Sequence, residues 1–468
     1  MRIKYFKSML SLLFLFVLGL SVASCDDSIP SNDSIDNDKN DEALNEEESS
    51  MSNVIEKYID KLIQDTPSYI PAWNKENFKG RWNYIDGVFL NSIVSLYYTY
   101  KDTNPEKAAK YKDFFISYIN YYISPEGKFL NLLPNSTNPG YTTTELDSVC
   151  ASKILFDAYD MTKDIRYKKA IEHTYNNLIN MPIVENSYGN FSHKVTYLNQ
   201  IWLDGMYMYV PFYARYAIAT SNAEIFDKIK LQYQFIREKM YDENKKLYYH
   251  GYSSKNIFWA DENGLSENFW IRSMGWYIVS LADVIELFPT GDNKEYLKNL
   301  LKEAIEGVLG YQDSETKMFY QLIDKGNNTF TVEGKYLEKF KNEKYKKDGL
   351  YVDASISNYV ESSGSSMIAY AIMKASNLGY IDSSYLQKGK EIFEGICNHS
   401  FDNNTNTLND ICITAGLGPE SNLLRDGSVD YYLAEPVGSN DAKGVGPFIM
   451  AYLQYSNGNV SGNNNIKF

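Results

Sequence analysis

The sequence predicts an all-α fold: an (α/α)6 barrel, a six-hairpin toroid of inner helices ringed by outer ones, preceded by a signal peptide and a disordered tether. Three observations predict it. From about residue 51 onward, apolar residues recur at steps of three and four, and no long alternating run competes. The helices come in pairs that repeat loosely along the chain. Six helices that are apolar nearly all round are followed by only five amphipathic partners. One outer position is then left for the helix around residues 51–65, which closes a ring. An open superhelix is the alternative arrangement of the same pairs; the unpartnered first helix favours closure.

Taken in order, residues 1–24 carry the marks of an export signal. Arg2, Lys4 and Lys7 form a charged start, Leu10 to Leu20 an apolar core too short for a convincing membrane span, and small residues follow. Val22-Ala23-Ser24-Cys25 reads as a bacterial lipobox. It predicts cleavage before Cys25, lipidation of that cysteine, and a protein anchored to a membrane face of the cell envelope. Residues 25–50 are polar and acidic, with little to bury, and are expected to be a disordered tether. Residues 51–468 are expected to form the barrel.

Within the barrel, Val54, Ile55, Tyr58, Ile59, Leu62 and Ile63 make one helical stripe. The stretches 86–119, 146–179, 203–236 and 271–305 then resemble one another, a fifth pair begins at Tyr359, and a last helix at Gly444. In each full pair the first helix is apolar all round, as a helix buried on both sides must be, and the second is amphipathic and Lys-rich. Polar residues mark the inner-helix starts: Asp86, Asp147, Asp204 and Arg272, at gaps of 61, 57 and 68, then Glu361 and Lys443 after 89 and 82, so the later repeats carry insertions. In a closed toroid these starts surround one end of the barrel. All six tryptophans lie near such starts. Aromatic faces around a cavity suit sugar rings; the plainer reading is that they plug the barrel end.

Composition narrows the function. The chain is 44% hydrophobic and 15% aromatic, with 41 Tyr. Tyrosine faces with polar tips suit a core that opens into a polar groove. The net charge of −14 becomes −17 once Arg2, Lys4 and Lys7 leave with the signal, which disfavours nucleic-acid binding. An anionic substrate must then be recognised by a few local cations rather than by the overall field. Cys150, Cys397, Cys412 and the four histidines show no metal-ligand spacing. A Cys397–Cys412 disulfide and buried free thiols are both open. No Walker loop, dinucleotide-type glycine motif, HExxH or GxSxG occurs, so neither cofactor nor metal is expected.

The chemistry-bearing candidates stand at the inner-helix starts. In "QIWLDGMYMYVPFYARYA" (200–217) Asp204 is the one carboxylate of an apolar and aromatic run, where an uncompensated charge is costly. It is either a helix N-cap or a cap that also works as an acid, and Asp147 in "TTELDSVCASKILF" poses the same choice. Two carboxylates at one barrel end divide acid and base roles when their environments separate their pKa values. Asp204, among aromatics, is the one expected to be raised. In "NFWIRSMGWY", Arg272 between Trp270 and Trp276 either binds a planar carboxylate or pairs with an internal aspartate. His193 and Lys194 precede Asp204 in a loop, and His250 follows an outer helix; each has a plain solvent or core explanation.

These motifs resemble glycoside hydrolase family 105, the unsaturated rhamnogalacturonyl hydrolases, related to the unsaturated glucuronyl hydrolases of family 88. The similar blocks are "LDSV", "HKVTYLNQIWLDGMYM", "FWIRSMGW", "NYVESSGSSMIAYAI" and "GLGPESNLLRDGSVDYYLAEPVGSNDAKGVGPF", spread from about Trp82 to Tyr455. The resemblance implies an (α/α)6 barrel and an exo-acting enzyme. Such an enzyme hydrates the C4=C5 bond of the terminal uronic acid that a lyase leaves on an oligosaccharide. It implies Asp204 as the catalytic acid and Asp147 as its assistant. Tyr84, His193, Lys194, Trp202, His250, Trp270, Arg272 and Trp276 then shape the sugar subsite. Arg272 is expected on the uronate carboxylate, with His250 or Lys194 assisting, and Ser273-Met274 departs from the smaller or amide residues expected there. The implied substrates are rhamnogalacturonan fragments, or glucuronyl oligosaccharides of ulvan or arabinogalactan type. A non-catalytic glycan-binding lipoprotein is the rival, disfavoured by the presence of both aspartates.

Overall fold

The structure, a computed structural model, describes residues 37–73, 78–458 and 462–468, with side chains from Met51 on. The export signal, Cys25 and the first part of the tether lie outside the described residues. The chain divides into residues 1–50 and 51–468. In the first, the backbone is already helical from Asn37, inside the stretch expected to be an unstructured tether. Ala43, Leu44 and Glu46 to Glu48 are good helix formers, and acidic residues suit a helix N-terminal end.

Fifteen α-helices are present among the described residues. The first hairpins use α1 (Asn37–Gln64), α2 (Tyr84–Tyr100), α3 (Pro105–Tyr122), α4 (Asp147–Ala151), α5 (Leu155–Thr162) and α6 (Ile165–Leu178). The middle of the chain gives α7 (Gly205–Thr220), α8 (Glu224–Met240), α9 (Ile271–Val284), α10 (Asp292–Leu309) and α11 (Gly334–Lys339). The last are α12 (Ser362–Asn377), α13 (Tyr385–His399), α14 (Val429–Ala434) and α15 (Ala442–Asn457). Strands are short, and each pairs with one other.

The inner ring is α2, α4–α5, α7, α9, α12 and α15. Each packs on the next, and α15 packs back on α2, so the ring is closed. The inner helices are buried on nearly every face, whereas α6, an outer helix, buries Tyr167, Ala170, Ile171, Thr174 and Leu178 at steps of three and four. The part of α1 from Met51 on takes the sixth outer position. Its Glu56 pairs with Lys107 of α3 at 2.6 Å and accepts from the hydroxyls of Tyr100 on α2 and Tyr452 on α15. The second helix of the inner series is interrupted by one 3-10 turn at Ser152–Ile154. Cys150, Cys397 and Cys412 are free thiols, so the disulfide alternative is not realised.

The expected insertions fall after α10 and after α13. In the first, Thr329–Val332 pairs antiparallel with Ala354–Ser357, and α11 lies between them. The second carries α14. They share a small core of their own, in which Val332, Tyr336 and Leu337 meet Tyr431 to Ala434 and the ring of Trp270. Tyr336 donates to Asp426 at 2.6 Å and the Asn342 amide to the Ala434 carbonyl at 3.0 Å, tying one insertion to the other.

Near their N-terminal ends the inner helices approach through glycines. A Cβ on Gly87 would lie 2.5 Å from the Ala151 Cα, one on Gly275 2.9 Å from the Met367 sulfur, and one on Gly446 2.8 Å from the Val88 carbonyl. At Gly87 the obstacle is backbone, which cannot rotate away. Gly87→Ala is therefore expected to cost about 1–3 kcal/mol through overpacking. Thermal unfolding reads this directly, and an unchanged midpoint would contradict so tight a contact between α2 and α4.

Candidate active site

The inner-helix starts do gather at one end, but they divide into two kinds. Asp86 is a buried structural hub that accepts from the Trp73 indole at 3.0 Å, the Asn83 amide at 3.0 Å and the hydroxyls of Tyr118 and Tyr122. Glu361 caps α12, accepting from the Gly364 amide at 2.6 Å, and Asp441 caps α15 while pairing with Lys443 at 2.8 Å. Asp147, Asp204 and Arg272 instead line a cavity of about 490 Å³. Asp204 occupies the N-cap position of α7 without making a capping hydrogen bond, and Asp147 is the first residue of α4, not its cap. The choice left open by the sequence is thus resolved against a cap at both positions.

Backbone pairing sets the partner of each aspartate. The Leu146 amide donates to the His193 carbonyl and the His193 amide to the Gln200 carbonyl, both at 3.1 Å. Gln200–Trp202 then pairs antiparallel with Gly251–Ser253, and the Leu203 amide donates to the His250 carbonyl at 2.8 Å. These four segments, stitched in sequence, put one histidine against each carboxylate. His193 Nε2 is 3.1 Å from Asp147 Oδ1, and His250 Nε2 is 3.3 Å from Asp204 Oδ1. Both pairs are separated by 46 residues in the chain, so they are the same feature of two successive hairpins. Neither Asp204 Oδ1 nor His250 Nε2 has a well-aligned hydrogen bond, although both are buried. His250 is backed by the Tyr432 hydroxyl at Nδ1.

The two carboxylates differ in their surroundings. Asp147 also receives Lys194 Nζ at 2.6 Å, and Lys194 in turn reaches Glu145 at 3.1 Å. Burial opposes its ionisation, but Lys194 and His193 hold it well below the usual carboxylate range. Asp204 is only 8% exposed. Burial pushes its pKa up, yet the His250 imidazole 3.3 Å away and the His193 imidazole outweigh burial, and the net shift is downward. This corrects the expectation of a raised Asp204: the aromatic neighbours are there, but the two imidazoles facing the carboxylate count for more. Burial in turn lowers the pKa of His250.

Nine of the ten expected catalytic and subsite residues line the cavity: Tyr84, Asp147, His193, Lys194, Trp202, Asp204, Trp270, Arg272 and Trp276. His250 stands behind Asp204 instead. Trp202 stacks on His193 with ring centroids 4.4 Å apart and on Tyr197 at 4.8 Å; Trp276 stacks on Tyr207 at 4.4 Å. Gly205 makes the first stack possible, since a Cβ there would sit 3.2 Å from His193 Nδ1. Arg272 lies over the Trp270 ring, donates to the Cys412 carbonyl and stands 3.9 Å from Glu361. Ser273 and Met274 face away from the cavity: the first donates to the Trp270 carbonyl at 2.8 Å, and the second accepts from the Tyr248 amide. Trp73, Trp82 and Trp259 are wall, not lining, as in the plainer reading of the aromatics.

Five lining residues escaped the sequence reading: Tyr197, Met208, Thr414, Ala415 and Arg425. Arg425 lies inside the last of the resembling blocks, the same block that supplies Tyr432. The equal 46-residue spacing was a visible signal for the two Asp–His pairs. Among the described residues no group of three or more potential ligands is placed to hold a metal ion.

The profile of glycosyl hydrolase family 88 matches residues 54–334 and 348–457. The chain belongs to this family. It is therefore a glycoside hydrolase, and the cavity is where the family's chemistry is to be sought. A solved glycoside hydrolase of family 105 from C. acetobutylicum ATCC 824 is 31% identical, with a TM-score of 0.70 over 85% of this chain and 98% of that one. A 24.9 kDa protein in the picA locus of Rhizobium radiobacter is 29% identical over 256 residues, 53% of this chain and 97% of its own. An unsaturated glucuronyl hydrolase from Bacillus sp. GL1 is 12% identical, with a TM-score of 0.57 over 88% of this chain and 97% of that one, a likeness of fold.

Lys194→Met removes the nearest partner of Asp147. Because Asp147 has a depressed folded pKa, its contribution to stability is present at neutral pH and is lost as pH falls through that value. The variant is expected to be about 1–3 kcal/mol less stable at pH 7, discounted for the partial exposure of the pair. The deficit should shrink only as pH falls below the ordinary Asp value of 3.8, as urea unfolding at pH 7 and about pH 2.5 will show.

Proposed function

We propose that this glycoside hydrolase removes the terminal 4,5-unsaturated uronic acid from lyase-generated oligosaccharides, with rhamnogalacturonan fragments as the leading substrate. The observation that carries the proposal is Asp204: a buried carboxylate at a helix start, facing a sugar-sized aromatic cavity and excused from capping. The resemblance to family 105 and the 31% identical family 105 structure support the same substrate class.

The proposed chemistry is hydration. Asp204 gives a proton to C4 as the π component of C4=C5 breaks, and water adds to C5 as its own proton passes to Asp204. The product is a hemiketal that opens to a C5 ketone and leaves a hemiacetal at C1, which becomes an aldehyde as the glycosidic alcohol departs with the hydroxyl proton. Asp204 is held low in the free protein, so it must take up its proton as substrate enters. Filling the cavity expels water, and desolvation disfavours the charged form. Asp147, locked as an anion by Lys194, favours the same protonation by repulsion. Trp202 and Trp276 offer faces to the sugar ring, and a guanidinium lining the cavity is available to the uronate carboxylate.

We further propose that the protein works at the cell envelope, tethered through a lipidated Cys25. Cys25→Ser should then move it from the membrane to the soluble fraction, and retention on the membrane would contradict the anchor. For catalysis, loss of the ultraviolet absorbance of the C4=C5 chromophore is the direct assay on lyase-digested pectin. Wild type should consume the chromophore, and Asp204→Asn should lower kcat by about 10²–10⁴-fold, the usual weight of a general acid. Binding without loss of absorbance would refute the hydration scheme.

A further inference from the structure

The cavity holds three cations, and two of them are already engaged. Lys194 is shared between Asp147 and Glu145, at 2.6 and 3.1 Å. Arg272 is turned toward the Cys412 carbonyl, Ser363 and Glu361. Arg425 is different. Its Nε donates to the Tyr431 hydroxyl at 3.2 Å, and its one acidic neighbour, Glu435, stands 3.9 Å away with Oε1 making no hydrogen bond among the described residues. Glu435 is 2% exposed. Burial pushes its carboxyl up to about 7, although Arg425, Tyr431 and Arg272 all favour the anion. Of the other titratable groups around the pair, Cys412 is a buried thiol pushed up to about 11, Tyr431 and Tyr432 are raised well above the usual phenol value, and burial lowers His250, so none of these four carries charge near neutrality. Glu435 therefore neutralises Arg425 only in part at pH 7.

The guanidinium is also well placed. A Cβ on Gly416 would lie 2.8 Å from the Trp202 ring and 3.3 Å from Arg425 Nη2, so that glycine is what lets the guanidinium approach the sugar-stacking indole. The Gly416 amide donates to the Tyr431 hydroxyl at 2.7 Å, and the Arg425 carbonyl accepts from the Gly418 amide at 2.7 Å, fixing the loop that carries it.

We propose that Arg425, rather than Arg272, receives the carboxylate of the substrate, and that Glu435 is a positioning residue that sets how much positive charge Arg425 presents. The proposal rests on the unsaturated-uronide reading above. Below pH 7 Glu435 is neutral and leaves Arg425 to the substrate. Above pH 7 it competes, so affinity for the acid falls as pH rises.

The test compares an unsaturated uronyl–rhamnose disaccharide with its methyl ester, titrated calorimetrically into the Asp204→Asn protein, which needs no turnover. The acid should bind more tightly than the ester. Adding Arg425→Met should weaken the acid by about 10–100-fold and leave the ester within about threefold, with Arg425→Lys intermediate. In the otherwise wild-type enzyme, KM for the acid should rise above pH 7, and Glu435→Gln should flatten that rise. Equal binding of acid and ester, equal losses on both, or loss of the acid preference in Arg272→Met but not in the Arg425 variants would overturn the proposal. If wild type leaves the absorbance unchanged, the hydrolase reading fails, while the acid-to-ester ratio still decides the role of Arg425.

Discussion

The site depends on a backbone ladder of a few hydrogen bonds. Residues 146, 193, 200, 203 and 250 are joined in series by amide–carbonyl bonds across the barrel mouth. Each inner helix begins where the chain has just crossed the return loop of the hairpin before it. That crossing sets an aspartate at the helix start against a histidine from the next loop, 46 residues on. Two successive hairpins do this identically, and the product is two Asp–His pairs on one rim. Local propensity would never assemble them; the repeat does. The glycine at 205 fits the same constraint, since a Cβ there would sit 3.2 Å from His193 Nδ1 and the imidazole would have to give way slightly.

Identical geometry then yields different electrostatics, because the later additions differ. Asp147 gains Lys194 from its own ladder rung and becomes a fixed anion. Asp204 gains no lysine; beyond His250 its next neighbour is the His193 imidazole, and His250 is buried and backed by a tyrosine. One carboxylate is thus committed to its charge and the other is held by weaker, poorly aligned contacts. Separation of two carboxylates by environment is what acid–base work requires. Here it arises by stabilising one anion strongly and the other barely, not by raising the second. Entry of a sugar has only to tip Asp204.

Much of this was legible in the sequence. Burial on all sides of the inner helices, the amphipathic outer partners and the missing sixth partner were enough for a closed ring, because hydrophobic periodicity reports which faces are covered. The spacing of polar residues placed Asp147, Asp204 and Arg272 on one rim. It did not separate the two aspartates from Asp86 and Glu361, since a cap, a hydrogen-bond hub and a reactive acid are the same kind of residue at the same helix position. What distinguishes them is whether a backbone amide or a tyrosine reaches the carboxylate, and that depends on chain segments tens of residues away. Arg425 was hidden for a related reason. It lies in an insertion between α13 and α15 and reaches the cavity only because that insertion packs on the one carrying α11. The direction of the Asp204 shift was misjudged because its apolar neighbours are sequence neighbours, whereas the imidazoles that oppose them are not.

The location of the site at this end of the barrel has a further physical ground. The inner helices α4, α7 and α9 begin at the cavity, with Asp147, Asp204 and Arg272 at their starts. Helix N-termini carry partial positive charge from unpaired amides, which favours anions within the first turn. The ends of α12 and α15 are neutralised by their own caps, Glu361 and Asp441. The helices that start at Asp147 and Asp204 are not capped by those side chains, so their amides remain to favour negative charge at the carboxylates and at an incoming uronate. A chain of net charge −14 repels anions at long range. It can still hold one where helix starts and a partly uncompensated guanidinium line one cavity, because interactions at such short range are screened little by salt. Recognition of an acidic sugar by so acidic a protein is a matter of local field, and the repeat that builds the barrel also builds that field.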